Sequence, residues 1–231
     1  MFSPALVRCE TCCAVQADGM AFYVGPWPPN LPGDSRGGFL GLFNNPNNTA
    51  NAYFPPTVAV EFDAFRNYWD PNNTVNHLGV DVNSITSRAY MALPDASFNG
   101  TMSAWVRYDA NASTLSATLR FDHLPELGLY NVSATVDFKE AGLPQQAAVG
   151  FSGATGDFVE RHQILSWSFE STLVSVAVVN TTGKCLSLFL ALLFLIFSLY
   201  QWKCMCDTHV FRKIFLLRIE AKKNICFEKL D

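Results

Sequence analysis

A chain of 231 residues that is 49% hydrophobic, 13% aromatic and only 16% charged can bury one sizeable core and is too apolar to stay unfolded. Its formal charge of −4 is uneven: residues 1–184 carry 16 acidic and 9 basic side chains, residues 185–231 carry 4 and 7. No basic stripe interleaved with aromatics runs through it, which argues against nucleic acid as a partner. No cysteine lies between residues 14 and 184, so the body is not a disulfide framework.

Residues 1–16, MFSPALVRCETCCAVQ, make a poor signal peptide, because the apolar run is short and is broken by Arg8 and Glu10. The cluster CETCC has no second ligand pair at zinc-like spacing, which favours incidental thiols. ADGMAFYVGP, residues 17–26, reads as a turn at Asp18-Gly19 and a strand from Met20 to Val24. After a Pro/Gly/Asn-rich loop comes RGGFLGLF, residues 36–43, a glycine turn before a strand, and then a polar loop.

Residues 57–87, TVAVEFDAFRNYWDPNNTVNHLGVDVNSITS, carry the chemistry. Alternation puts Val58, Val60 and Phe62 on one strand face and Glu61, Asp63 and Phe65 on the other. Asn67 and Asp70 follow in a turn-rich loop, and His77 opens a second β-rich run. Carboxylates with an amide suit calcium, which takes six to eight oxygens. Imidazole beside carboxylates suits a transition ion such as manganese or zinc. One cluster with both ligand sets could hold two ions bridged by shared carboxylates. A solvated polar loop between strands is the alternative.

Period-two alternation continues through Ala104–Tyr108, Leu115–Phe121 and Val132–Phe138, with turn signals between, which argues an antiparallel sandwich. In residues 148–171, AVGFSGATGDFVERHQILSWSFES, the pattern predicts Leu165, Trp167 and Phe169 on the core face of a last strand, and His162 as structural. Residues 175–184 form a linker. Residues 185–202, CLSLFLALLFLIFSLYQW, are 18 uncharged residues that as a helix would reach about 27 Å, just enough for a bilayer core of about 30 Å. Residues 203–231 form a short basic tail. Sequons at Asn47, Asn72, Asn99, Asn111, Asn131 and Asn180 all precede the apolar run, and six bases lie beyond residue 206. Both signals predict a single-pass protein with its N-terminal domain outside and its C-terminus cytoplasmic, at the plasma membrane.

VEFDAFRN, WDP and HLGVDVNS, with ADGMAF and GGFLGLF before them, closely resemble the legume lectin family, the L-type lectin domains of plants. The resemblance implies an all-β antiparallel jelly-roll sandwich of the concanavalin A-like type over residues 17–174. It further implies that Glu61, Asp63, Asp70 and His77 hold a transition ion, Mn2+ by the family's habit, with Ser87 on one of its waters. Asp63, Asn67, Asp70 and the Phe65 carbonyl would hold Ca2+. Asp18, after a cis Ala17–Asp18 bond, would bind a sugar with Gly38 and Asn67, while Phe65 stacks on it. Gly153–Phe158, Gly156 and Asp157 among them, would be the variable loop completing the site.

The family has about 60 further residues before the segment that begins at Ala17, so residues 1–16 read as foreign to the fold and the sandwich as incomplete. Residues 166–171 would then present a free sheet edge. The whole resembles a lectin receptor kinase cut before its kinase, with a glycan as ligand and a homodimer possible. A non-functional or regulatory fragment is one alternative. A glycosidase on the same sandwich is another, since Glu61-Phe62-Asp63 begins an E-x-D-x-x-E pattern, but the third carboxylate position is Arg66. The reading is therefore of a binding protein and not an enzyme.

Overall fold

The computed structural model describes residues 5–11, 17–47, 55–95, 98–174, 212–217 and 225–226. In chain order its strands are β1 (Ala5–Thr11), β2 (Gly19–Pro26), β3 (Val58–Asp63), β4 (His77–Val82), β5 (Ala89–Ala92), β6 (Thr101–Asp109), β7 (Thr114–Phe121), β8 (Leu129–Thr135), β9 (Ala147–Ala154), β10 (Glu160–Ser166), β11 (Glu170–Val174), β12 (Arg212–Leu217) and β13 (Ile225–Cys226). All pairings are antiparallel. One sheet has five strands in the order β5-β4-β3-β2-β9 and the other has eight.

The alternation seen in the sequence builds the core. Met20, Phe22 and Val24 of β2 and Val58, Val60 and Phe62 of β3 face Met102, Ala104, Val106 and Tyr108 of β6 and the alternate residues of β7. The opposite face of β2 and β3 does not go to solvent. Phe39, Leu40, Leu42 and Phe43 fold over Ala21 and Ala59 as a second, smaller apolar cluster. The GGFLGLF segment is thus a 3-10 turn at Gly37–Phe39 and a cap over the sheet, not the lead into a strand. Burial on both sides leaves β3 with no exposed residue, so its carboxylates are held inside the protein.

The last part of the chain departs from expectation in three places. In β10 the core residue is Ile164, at 1% exposure, while Phe169 is 38% exposed. The inward set is Glu160, His162 and Ile164, the reverse of the predicted face. Leu165, Trp167 and Phe169 alternate as well as their neighbours do, and such a run does not say which face turns inward. Trp167 still packs on the core, edge-on to Phe151.

β1, within the segment read as foreign, pairs with β10 from Leu6↔Ser166 to Thr11↔Glu160 and with β6 on its other side. β10 is therefore flanked by β1 and β13, and the sheet ends on β11. β12, within the segment read as a tail, pairs with β11 and β6. The predicted membrane helix at 185–202 lies outside the described residues. No helix among the described residues is long and apolar enough to cross a membrane.

Candidate functional site

Register brings the site together. β3 lies between β2 and β4, with Asp63 opposite both Gly19 and His77, and Glu61 opposite both Ala21 and Gly79. Directly paired residues point to the same face, so Glu61, Asp63, His77 and Asp81 share the face away from the main core. Ligand atoms of Glu61, Asp63 and His77 all lie within 4.8 Å of one another. His77 Nε2 is 3.0 Å from Glu61 Oε1, and Ser87 Oγ lies 3.3 Å from the same nitrogen and bonds Glu61 Oε1. Gly79 makes this packing possible, since a Cβ there would sit 2.2 Å from Glu61 Oε1 and 2.6 Å from Ser87 Oγ.

The loop after β3 is folded around its own carboxylates. Asp63 Oδ1 accepts from the Phe65 N–H at 2.7 Å, and Asp70 Oδ2 accepts from the Asn67 N–H. Burial pushes Asp63 well above the usual carboxylate range, and Glu61 and Asp70 add to the effect. Asp70 is raised to about 6, again chiefly by burial. Asp81, fully buried, is raised well above that range by burial and by Glu61 beside it.

Among the described residues these carboxylates form no ion pair with Lys or Arg, and His77 beside Glu61 is the one cation-forming partner. Asp63 Oδ2, Asn67 Oδ1 and both Asp81 oxygens are buried without a hydrogen-bond donor. Buried carboxylate and amide oxygens lacking donors carry a desolvation cost that a cation would offset. The donor set of carboxylates, an amide oxygen and one imidazole fits a hard cation beside a borderline one.

Next to this cluster sit the other predicted residues. The Ala17–Asp18 peptide is cis. Asp18 is 4% exposed, and its carboxyl is raised to about 6 by burial, with Asp157 and Glu160 adding and the Gly156 N–H opposing. Gly156 lies so close that a Cβ on it would be 3.0 Å from Asp18 Oδ2. The Gly37 N–H donates to the Thr155 carbonyl at 3.2 Å, which ties the GGF turn to the loop before β10. A Cβ on Gly38 would fall 1.9 Å from Asn67 Oδ1, so the space that glycine leaves open is filled by the Asn67 amide. Phe65 is half-buried, its ring centroid 5.7 Å from that of Phe158, and Asp157 is exposed.

Three further placements matter. His162 pairs with Glu160 at 3.5 Å, both buried, and the pair borders Asp18, whose carboxyl Glu160 raises and His162 lowers. Asn47, Asn72, Asn99, Asn111 and Asn131 are exposed, while Asn180 lies outside the described residues. The large concavity of about 1020 Å3 is lined by Trp27, Arg36, Phe151 and Thr155, among others, and by none of Asp18, Gly38, Asn67 or Gly156. The residues, not a volume, identify the candidate site. Sequence reading missed Gly79 and Asp81. A glycine inside a strand signals close approach, and Asp81 falls on the His77 face by simple alternation.

Residues 9–184 match the legume lectin domain. The seed lectin of Vatairea macrocarpa is 44% identical over 161 residues, which covers 68% of this chain and 61% of that protein. Agglutinin-2 of Cladrastis kentukea is 41% identical over 160 residues, 68% of this chain and 53% of its own length. Among solved structures, basic winged bean lectin with Tn-antigen superposes with a TM-score of 0.58 at 33% identity, covering 68% of this chain and 65% of that one. The Bauhinia forficata lectin in complex with GalNAc gives 0.58 at 33% identity, covering 68% and 66%. The chain thus spans only 53–61% of the length of these two curated relatives.

Proposed function

The chain belongs to the legume lectin family, and from that premise we propose that it binds carbohydrate in a calcium- and transition-metal-dependent way, without catalysis. One observation carries the reading most: Asn67 is bound through its backbone to Asp70 of the metal cluster, while its side chain fills the space over Gly38 beside the Asp18–Gly156 contact. The residues proposed to meet the sugar are therefore built on those proposed to hold the ions.

Glu61, Asp63, Asp70 and His77, with Ser87, would hold the transition ion, Mn2+ by preference. Asp63, Asn67, Asp70 and the Phe65 carbonyl would hold Ca2+. When bound, the ions supply positive charge that cancels the repulsion among buried carboxylates. The rest is done by the chain. Asp18, once ionised above about pH 6, accepts hydrogen bonds from sugar hydroxyls. The Asn67 amide and the Gly38 N–H donate to sugar oxygens. The Phe65 ring offers an apolar face to the sugar's C–H surface, and Gly156 and Asp157 close the rim. A shallow site of this kind should hold one sugar at about millimolar Kd, near −4 kcal/mol, and gain strength through multivalency, a homodimer included.

The test is a glycan array probed with the expressed chain, with and without chelator. Two structural relatives are solved with Tn-antigen and GalNAc, so N-acetylgalactosamine glycans are the first to examine. Chelator-sensitive binding supports the reading. Absence of binding to every glycan, with calcium and manganese present and the chain folded, would sink it and favour a regulatory fragment.

A membrane-anchored receptor-like form is a second reading, favoured by the uncharged run at 185–202 and by sequons placed only before it. It carries a structural condition. β12 must leave the sheet, because a segment paired with β6 and β11 cannot lie across a bilayer from them. Endoglycosidase treatment of membranes, with protease access to a C-terminal tag, separates the two arrangements. An unglycosylated chain in the soluble fraction removes the anchored one.

A further inference from the structure

β10 carries a second buried acid–imidazole pair, Glu160 and His162, two residues apart on the inward face of the strand. The Glu160 side chain is fully buried, yet neither of its oxygens has a hydrogen-bond donor among the described residues. His162 Nε2 stands 3.5 Å from Glu160 Oε2, beyond the usual N–H···O range of about 2.7–3.2 Å. A buried carboxylate without donors is costly, and the pair stops short of the bond that would offset that cost.

The same separation fits a shared ion. Zinc binds imidazole nitrogen at about 2.0–2.1 Å and carboxylate oxygen at about 2.0–2.2 Å, at tetrahedral angles. Two such ligand atoms on one ion therefore lie about 3.3–3.5 Å apart. Register supplies a third ligand type. β1 runs antiparallel beside β10 with Cys9 directly opposite His162, and directly paired residues share a face. Cys9 has no ligand pair at zinc-like spacing in its own segment, and β10 brings it one. The large concavity borders both Glu160 and His162. It gives an ion a way in and leaves room for water in the fourth position, the open arrangement of zinc sites with three protein ligands.

We propose that Cys9, His162 and Glu160 form a zinc site, separate from the cluster at Glu61, Asp63 and His77. A thiolate beside an imidazole favours zinc over calcium, magnesium or manganese, which prefer oxygen ligands. The site stands whether or not the lectin reading does.

The experiment adds cobalt(II), a spectroscopic stand-in for zinc, to the reduced, metal-free full chain. A saturable cobalt–thiolate charge-transfer band that zinc displaces is expected. The cluster around Asp63 contains no cysteine, so the band does not report on it. Cys9→Ser and His162→Gln should each abolish the band, and the double variant Cys12→Ser/Cys13→Ser should keep it. Should His162→Gln fail to fold, the ring-nitrogen NMR resonances of His162 in the wild-type chain should shift when zinc is added. No band in the wild-type chain, a band that persists in folded Cys9→Ser or His162→Gln, a band lost with Cys12 and Cys13, or unshifted His162 resonances would each overturn the proposal.

Discussion

Substituting Gly38 by alanine separates two accounts of that glycine. If its role is only to let a sugar reach its backbone N–H, a methyl group should weaken glycan binding and leave calcium alone. The structure argues for a larger effect. The added Cβ would sit 1.9 Å from Asn67 Oδ1, 2.6 Å from its Cγ and 2.8 Å from its Nδ2. Nonbonded atoms do not approach within 3 Å of a Cβ, so the amide must retreat by roughly one ångström. Metal–ligand distances hold to within about 0.2 Å, and a displacement several times that size withdraws the ligand. Disturbing a single supporting group at a metal site typically weakens affinity about 10–100-fold, or roughly 1.4–2.8 kcal/mol. Gly38→Ala should therefore lose calcium affinity in that range and lose glycan binding even at saturating calcium. Isothermal titration with calcium, followed by binding to immobilised glycan, measures both. Wild-type calcium affinity in a folded Gly38→Ala protein would refute the role given to Asn67.

Asp63→Ala should abolish glycan binding and the thermal shift that metal confers. A ligand present at a hundred times its Kd stabilises the native state by about 2.7 kcal/mol, and a melt of the variant that still rises with metal would remove Asp63 from the cluster. Asn67→Asp keeps an oxygen for calcium and loses the amide donor, so calcium uptake should survive while glycan binding fails in the same array. Asp18 and Asp70 are raised to about 6, so in chelator the native state holds more protons than the unfolded chain between about pH 4 and pH 6. Stability of the metal-free protein should consequently fall as pH rises through that window, and a metal-free melting temperature that climbs from pH 4 to pH 6.5 would contradict these shifts. With metals present the trend should reverse, since protons compete for the same oxygens.

Much of this protein was legible in its residues. Alternation in β2, β3, β6, β7 and β8 marks which side chains meet in the core, because strand periodicity is local and needs no partner. The candidate metal cluster was partly legible for the same reason: Glu61 and Asp63 are two residues apart on one strand and His77 opens the next, while Asp81, on the same face, went unread. Resemblance to the legume lectins supplied the grouping of Asp18, Gly38 and Asn67.

What stayed out of reach depends on neighbours distant in sequence. Whether Ile164 or Leu165 turns inward is set by which strands flank β10, and nothing in the alternating run itself carries that. β1 reads as part of a segment foreign to the fold and β12 as part of a tail until register places them beside β6. Gly38 reads as a turn glycine, and only the fold brings the Asn67 amide to within 1.9 Å of the missing Cβ position. Side-chain type and periodicity are properties of the chain, and they determined the elements and the chemistry. Register, facing and empty volume are properties of pairs of elements, and only the tertiary structure decided them.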